Sequence, residues 1–154
     1  MITLIKTNPN NKDFIKLVKD LDTYLALKDG DEHDFYDQFN KSEGINHVIM
    51  AYENGFPAGC GAIKTYDKKT MEVKRMYTIP EYRGKGIASK ILKALELWAS
   101  ELSFHRCILE TGKRQTEAVA LYHKTGYKTI PNYAPYEGID NSICFEKILI
   151  LEEL

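Results

Sequence analysis

Between Glu72 and Ala88 the chain reads EVKRMYTIPEYRGKGIA, and this stretch constrains the fold more than any other. It begins as a β-strand, stops at Pro80, passes through a loop punctuated by Gly84 and Gly86, and enters an apolar helical stripe at Ile87. A loop that feeds a helix N-terminus carries backbone N–H groups with no partner inside the helix, and the aligned peptide dipoles favour negative charge there. Gly84 and Gly86 let the backbone bend and come close to a ligand. Arg83 adds a forked donor and Lys85 a point charge. The local chemistry is that of a phosphate site.

The segments around it predict a single domain over residues 1–154. Ile2 to Lys6 has the look of an edge strand. Asn11 is placed to cap a helix whose apolar residues Phe14, Leu17, Val18, Leu21 and Leu25 recur at helical spacing, with Gly30 at its end. A second helical piece is expected over residues 32–40. Three strands follow, His47–Glu53, Phe56–Tyr66 and Met71–Ile79, the first two joined by the hairpin signal Asn54-Gly55. Gly59 and Gly61 mark a bulge or a close approach by another group. After the Ile87–Leu102 stripe come a buried strand at Cys107–Glu110, a helix at Gln115–Thr125, and strands at Tyr127–Ile130 and Ser142–Leu149. This order predicts an α+β fold: a mixed, mostly antiparallel sheet of six to seven strands with four flanking helices.

Composition limits the partners. A net charge of -1 supplies no global field for nucleic acid or an anionic membrane, so anion binding must be local. No apolar run approaches the length of a membrane span, and MITLIKTNPN lacks a signal-peptide pattern. Cys60, Cys107 and Cys144 are far apart and set in apolar runs, which reads as free buried thiols in a cytoplasmic protein without a structural metal. The acids Asp20, Asp22, Asp29, Asp31, Glu32, Asp34 and Asp37 read as a solvated helix face with caps, or as an attraction for a cationic acceptor.

The loop fits neither a nucleotide P-loop nor a dinucleotide fingerprint, whose glycine spacings differ. Arg83-Gly84-Lys85-Gly86-Ile87-Ala88 after MYTIPEY, followed by LETGKRQTEAVALYHKTGY, resembles the GNAT superfamily of N-acetyltransferases from Ile45 to Tyr127. Two positions depart from the usual pattern: Gln115 stands where many members have Asn, and Ala88 where Gly is commoner.

The resemblance implies acetyl-CoA as co-substrate, with its pyrophosphate on Arg83, Gly84, Lys85, Gly86, Ile87 and Ala88. Its pantetheine arm would lie along Met76, Tyr77 and Thr78 like an added strand, with a backbone N–H near Met76 facing the thioester oxygen. An attacking amine must be neutral, which calls for a base. Glu72 holds the family position that often carries one, with Glu110 or a water as alternatives; strand alternation would set Glu72, Lys74, Met76 and Thr78 on one face. Tyr122 is the expected acid for the leaving thiolate, or a packed aromatic anchor. Gln115 is expected to reach the pantetheine, or to cap its helix. Tyr133 and Tyr136 would line the acceptor side, although turn packing explains them too.

The implied activity is transfer of acetyl to a primary amine of a small molecule or amino acid, by direct attack in a ternary complex. Alternatives are a protein or peptide N-acetyltransferase, or a non-catalytic acyl-CoA-binding module. The sequence leaves a homodimer open.

Overall fold

The structure, a computed structural model, describes residues 1–30 and 44–149. Among these residues seven strands form one sheet: β1 (Ile2–Thr7), β2 (His47–Glu53), β3 (Phe56–Asp67), β4 (Thr70–Thr78), β5 (Arg106–Gly112), β6 (Lys128–Ile130) and β7 (Ser142–Ile148). Their order is β1-β2-β3-β4-β5-β7-β6. All neighbours are antiparallel except β4 and β5, which are joined across the sheet by a helix. The α-helices among the described residues are α1 (Lys12–Asp29), α2 (Ile87–Glu101) and α3 (Thr116–Lys124), with a 3-10 turn at Pro80–Tyr82. That is three where four were expected; the helix expected over residues 32–40 lies outside the described residues.

Local chemistry explains where these elements start and turn. The Asn11 side chain accepts from the Phe14 N–H at 3.0 Å, capping α1 as a short polar side chain at that position does. Asn54 and Gly55 both have positive φ, at 50° and 87°, which matches the twist of a two-residue hairpin between β2 and β3.

β2 is buried on both faces. Ile49 and Ala51 join α2 residues Ile91, Leu92 and Leu95 in the larger core, while Val48 and Met50 join Phe14 and Leu17 of α1 on the other side. Gly59 and Gly61 of β3 are sites of close approach. A Cβ at Gly59 would sit 2.9 Å from the Tyr77 carbonyl oxygen and 3.1 Å from Ile91 Cδ1. Because the first of these neighbours is backbone, it cannot rotate away, and Gly59→Ala is expected to cost about 1–3 kcal/mol. Denaturant unfolding at unchanged m-value measures this; a variant as stable as the parent would refute the close-approach explanation.

One irregularity positions the functional site. Cys60 pairs with Tyr77 and Ala62 with Lys74, so β4 carries one more residue than β3 across this interval. Arg75 sits there with φ 59°, a left-handed conformation in the middle of a strand. The bulge shifts the phase of side-chain alternation. Glu72 lies between Met71 and Val73, both in the α2-side core, and so faces the α1 side; Met76 also packs against the α2-side core. The single face expected for Glu72, Lys74, Met76 and Thr78 is therefore broken after Lys74.

Candidate active site

β4 and β5 pair only over Thr70–Glu72 and Arg106–Ile108. Past Glu72 the ladder stops, and β5 goes on to pair with β7 alone. Two cavities lie along this part of β4.

The first encloses about 260 Å³ along Met76, Tyr77, Thr78, Arg83, Gly84, Gly86, Ile87 and Ala88, with Leu121 of α3 opposite. Gly84 and Gly86 have φ of 82° and 79°, Gly86 being the residue that starts α2. The space where their Cβ atoms would be is open to 4 Å, so the loop presents bare backbone at the helix N-terminus. That geometry fits a pyrophosphate. Arg83 lies along the floor: its Nε donates to the Thr78 carbonyl at 3.0 Å, and its guanidinium stacks over the rings of Tyr24 and Tyr77. Lys85 does not line this cavity; its Nζ is 3.8 Å from Glu53 Oε1 and lies over the Tyr82 ring.

The second cavity, about 80 Å³, is lined by Glu72, Lys74, Arg75 and Glu110, with Leu25 of α1 and Tyr136 of the β6–β7 loop as walls. Tyr133 does not line it but reaches it indirectly, its hydroxyl donating to Glu72 Oε2 at 2.8 Å. The Ser142 hydroxyl donates to Glu110 Oε2 at 2.7 Å. Burial pushes the Glu110 carboxyl up to about 7, against the pull of Ser142 and Lys74. Burial also lowers the Lys74 ammonium, which the charges of Glu72 and Glu110 partly hold up. Tyr133 is raised by burial and by the Glu72 charge, so its hydroxyl keeps its proton as a donor.

Leu21, Met76, Gln115 and Tyr122 line both cavities. They mark the junction. Tyr122 is 6% exposed, stacked at an angle on Tyr127 and Phe145, and its phenol is raised by burial and then by the Glu110 charge. Gln115 occupies the N-cap position of α3 but makes no side-chain capping bond, and its amide sits at the junction.

Residues 13–127 match the sequence model of the Acetyltransferase (GNAT) family. The chain belongs to this family. It is an acyltransferase. Over 150 residues it is 29% identical to the IAA acetyltransferase of Azospirillum brasilense, covering 96% of this chain and 98% of that one. A Klebsiella pneumoniae MGH 78578 structure described as an acyl-CoA N-acyltransferase superposes with a TM-score of 0.81 at 32% identity, covering 97% of this chain and 99% of the other. An Elizabethkingia anophelis GNAT acetyltransferase with acetyl-CoA bound shares the fold at a TM-score of 0.70 and 19% identity, covering 96% and 98% of the two chains.

In this GNAT enzyme Glu72, Met76, Gln115, Tyr122 and Tyr136 line one or both of the two cavities. Sequence reasoning missed Tyr24, which stacks on Arg83, Arg75, which lines the second cavity, and Ser142, which donates to Glu110 there. Tyr24 lies on the same helix as the expected core stripe but outside it, the one available signal. Asp31, Glu32, Asp34 and Asp37 of the acidic cluster lie outside the described residues. No helix among the described residues is long and apolar enough to cross a membrane, and no group of three or more His, Cys, Asp or Glu there could hold a metal ion.

Proposed function

We propose that the chain transfers acetyl from acetyl-CoA to a primary amine by direct attack, with donor and acceptor meeting where the two cavities share Met76, Gln115 and Tyr122. That shared junction, in a gap between two strands of one sheet, is the observation that carries the reading.

The glycine loop and the α2 N-terminus hold the pyrophosphate, with Arg83 on the cleft floor beneath. The β4 segment Met76, Tyr77 and Thr78, which β5 leaves unpaired, offers main-chain partners to the pantetheine amides. Acetyl-CoA supplies the activated acetyl carbon. The Met76 N–H is the donor for the oxygen on which charge builds. Glu110 takes the proton from the acceptor amine, since a base works best when its pKa lies near the operating pH. Glu72, oriented by Tyr133, is the second carboxylate facing the amine. Tyr122 protonates the sulfur as the C–S bond breaks and the new C–N bond forms.

The cysteines support direct attack. Cys60 and Cys107 are fully buried and burial pushes both thiols up to about 12; Cys144 is likewise buried and pushed up to about 11. None is a thiolate nucleophile near neutral pH.

Two experiments test this reading. Free-CoA release is measured with amino acids, polyamines, aminoglycosides and peptides as acceptors; release with at least one amine is expected, and tight acetyl-CoA binding with no release from any would leave a binding module. Separately, Gly86→Val forces a β-branched residue into φ 79° at the head of α2 and covers the bare backbone. Calorimetry should show acetyl-CoA affinity falling about tenfold or more, about 1.4 kcal/mol. Unchanged affinity would move the pyrophosphate elsewhere.

A further inference from the structure

Lys74 and Arg75 are consecutive, and in an unbroken strand their side chains would point to opposite faces. The bulge prevents that. With Arg75 at φ 59°, Lys74 lines the acceptor cavity beside Glu72 and Glu110, and Arg75 lines it too while reaching α1. There its Nη2 donates to Asp22 Oδ1 at 2.7 Å. The Arg75 side chain is 2% exposed and that of Asp22 43%, so the pair sits at the cavity edge with the guanidinium on the inner side.

The pairing is incomplete. Among the described residues the buried Arg75 Nε–H has no hydrogen-bond partner. Folded proteins rarely leave a buried donor of a charged group unmatched, because the lost hydration is not replaced. The same residue also carries backbone strain that a left-handed non-glycine incurs inside a strand. Two costs thus fall on one side chain in the wall of the acceptor cavity, where binding of an anion would offset the first. The cavity lining is complementary to a zwitterion: Glu72 and Glu110 are carboxylates, and Lys74 and Arg75 are cations. At about 80 Å³ it takes a small acceptor head.

We propose that Arg75, with Lys74 beside it, docks a carboxylate carried by the acceptor, so that the substrate class is small amino acids acetylated on their amine. The acceptor's carboxylate takes the Arg75 Nε–H in the planar manner that guanidinium favours, and its ammonium faces Glu72 and Glu110. A simple amine leaves Nε–H unmatched. The proposal rests on the acetyl-transfer reading of the cavity.

The test compares the twenty amino acids with their carboxamides and decarboxylated amines, reading CoA release by the full chain. For at least one amino acid, kcat/KM should exceed that of both its amide and its amine by about 30-fold or more, since a site built for a polar group rejects analogues lacking it. Arg75→Lys keeps a cation beside Asp22 but removes the Nε–H; it should collapse this preference through a higher KM for the acid, with acetyl-CoA affinity and Tm measured alongside. Where that variant does not fold, the acid-to-amide ratio of the parent decides alone. Amides and amines acetylated as well as the acids would overturn the carboxylate dock and leave acetyl transfer standing. No CoA release with any amine would overturn both.

Discussion

Tyr122→Phe should lower kcat by about 100-fold while KM for acetyl-CoA stays within about twofold. The substitution removes one hydroxyl and keeps the ring, which packs against Tyr127 and Phe145 with centroids 5.9 and 5.8 Å away. Stability should therefore change little, because the buried apolar area is retained. The loss arises in the step that only the transition state feels: the departing sulfur must gain a proton, and a phenol kept protonated by burial and by the Glu110 charge has one to give. For the same reason the parent should show no alkaline loss from this group below about pH 10. Steady-state kinetics with a direct acetyl-CoA binding measurement check this. An unchanged kcat would reduce Tyr122 to packing.

Glu110→Gln should have a comparable effect with a different pH signature. In the parent, the rate should fall as pH drops through about 7, because the base is lost when the carboxyl takes up a proton. Glutamine cannot titrate, so the variant should be about 100-fold slower at pH 8 and nearly flat across that limb. Glu72→Gln should keep the limb; if it is the variant that loses it, the two carboxylates exchange roles. Stability offers a second readout. The carboxyl has its ordinary value of 4.5 in the unfolded chain and about 7 in the native one. The native state therefore holds a proton that the unfolded state has released within that window. Glu110 costs stability that is absent below 4.5 and fully present above 7. Glu110→Gln should accordingly raise Tm relative to the parent at pH 8 and leave the difference small at pH 4.5. Such a gain, at the cost of activity, is expected of a residue retained for chemistry.

The glycine-loop cavity of the candidate site was largely legible from the sequence. Gly84 and Gly86, read as residues that let the backbone bend, have positive φ, and the strand, loop and helix follow one another in 17 contiguous residues from Glu72 to Ala88. Local order was enough because every contribution comes from neighbours in the chain. The second cavity was not. Its residues come from β4, β5, α1 and the β6–β7 loop, and only tertiary pairing brings Ser142 to Glu110 or Tyr133 to Glu72. The bulge was the harder miss. A left-handed arginine has no compositional signature, as a glycine would, and one extra residue reverses every side chain after it. Strict alternation therefore put Met76 beside Glu72, when the fold sends it towards α2.

In the proposed reaction two substrates meet in one junction and react without a covalent enzyme intermediate. The most direct measurement is the initial rate of CoA release with acetyl-CoA and an acceptor amine varied against each other. A ternary-complex reaction predicts double-reciprocal lines that intersect. Parallel lines, the pattern of an acetyl-enzyme formed before the amine binds, would contradict the account.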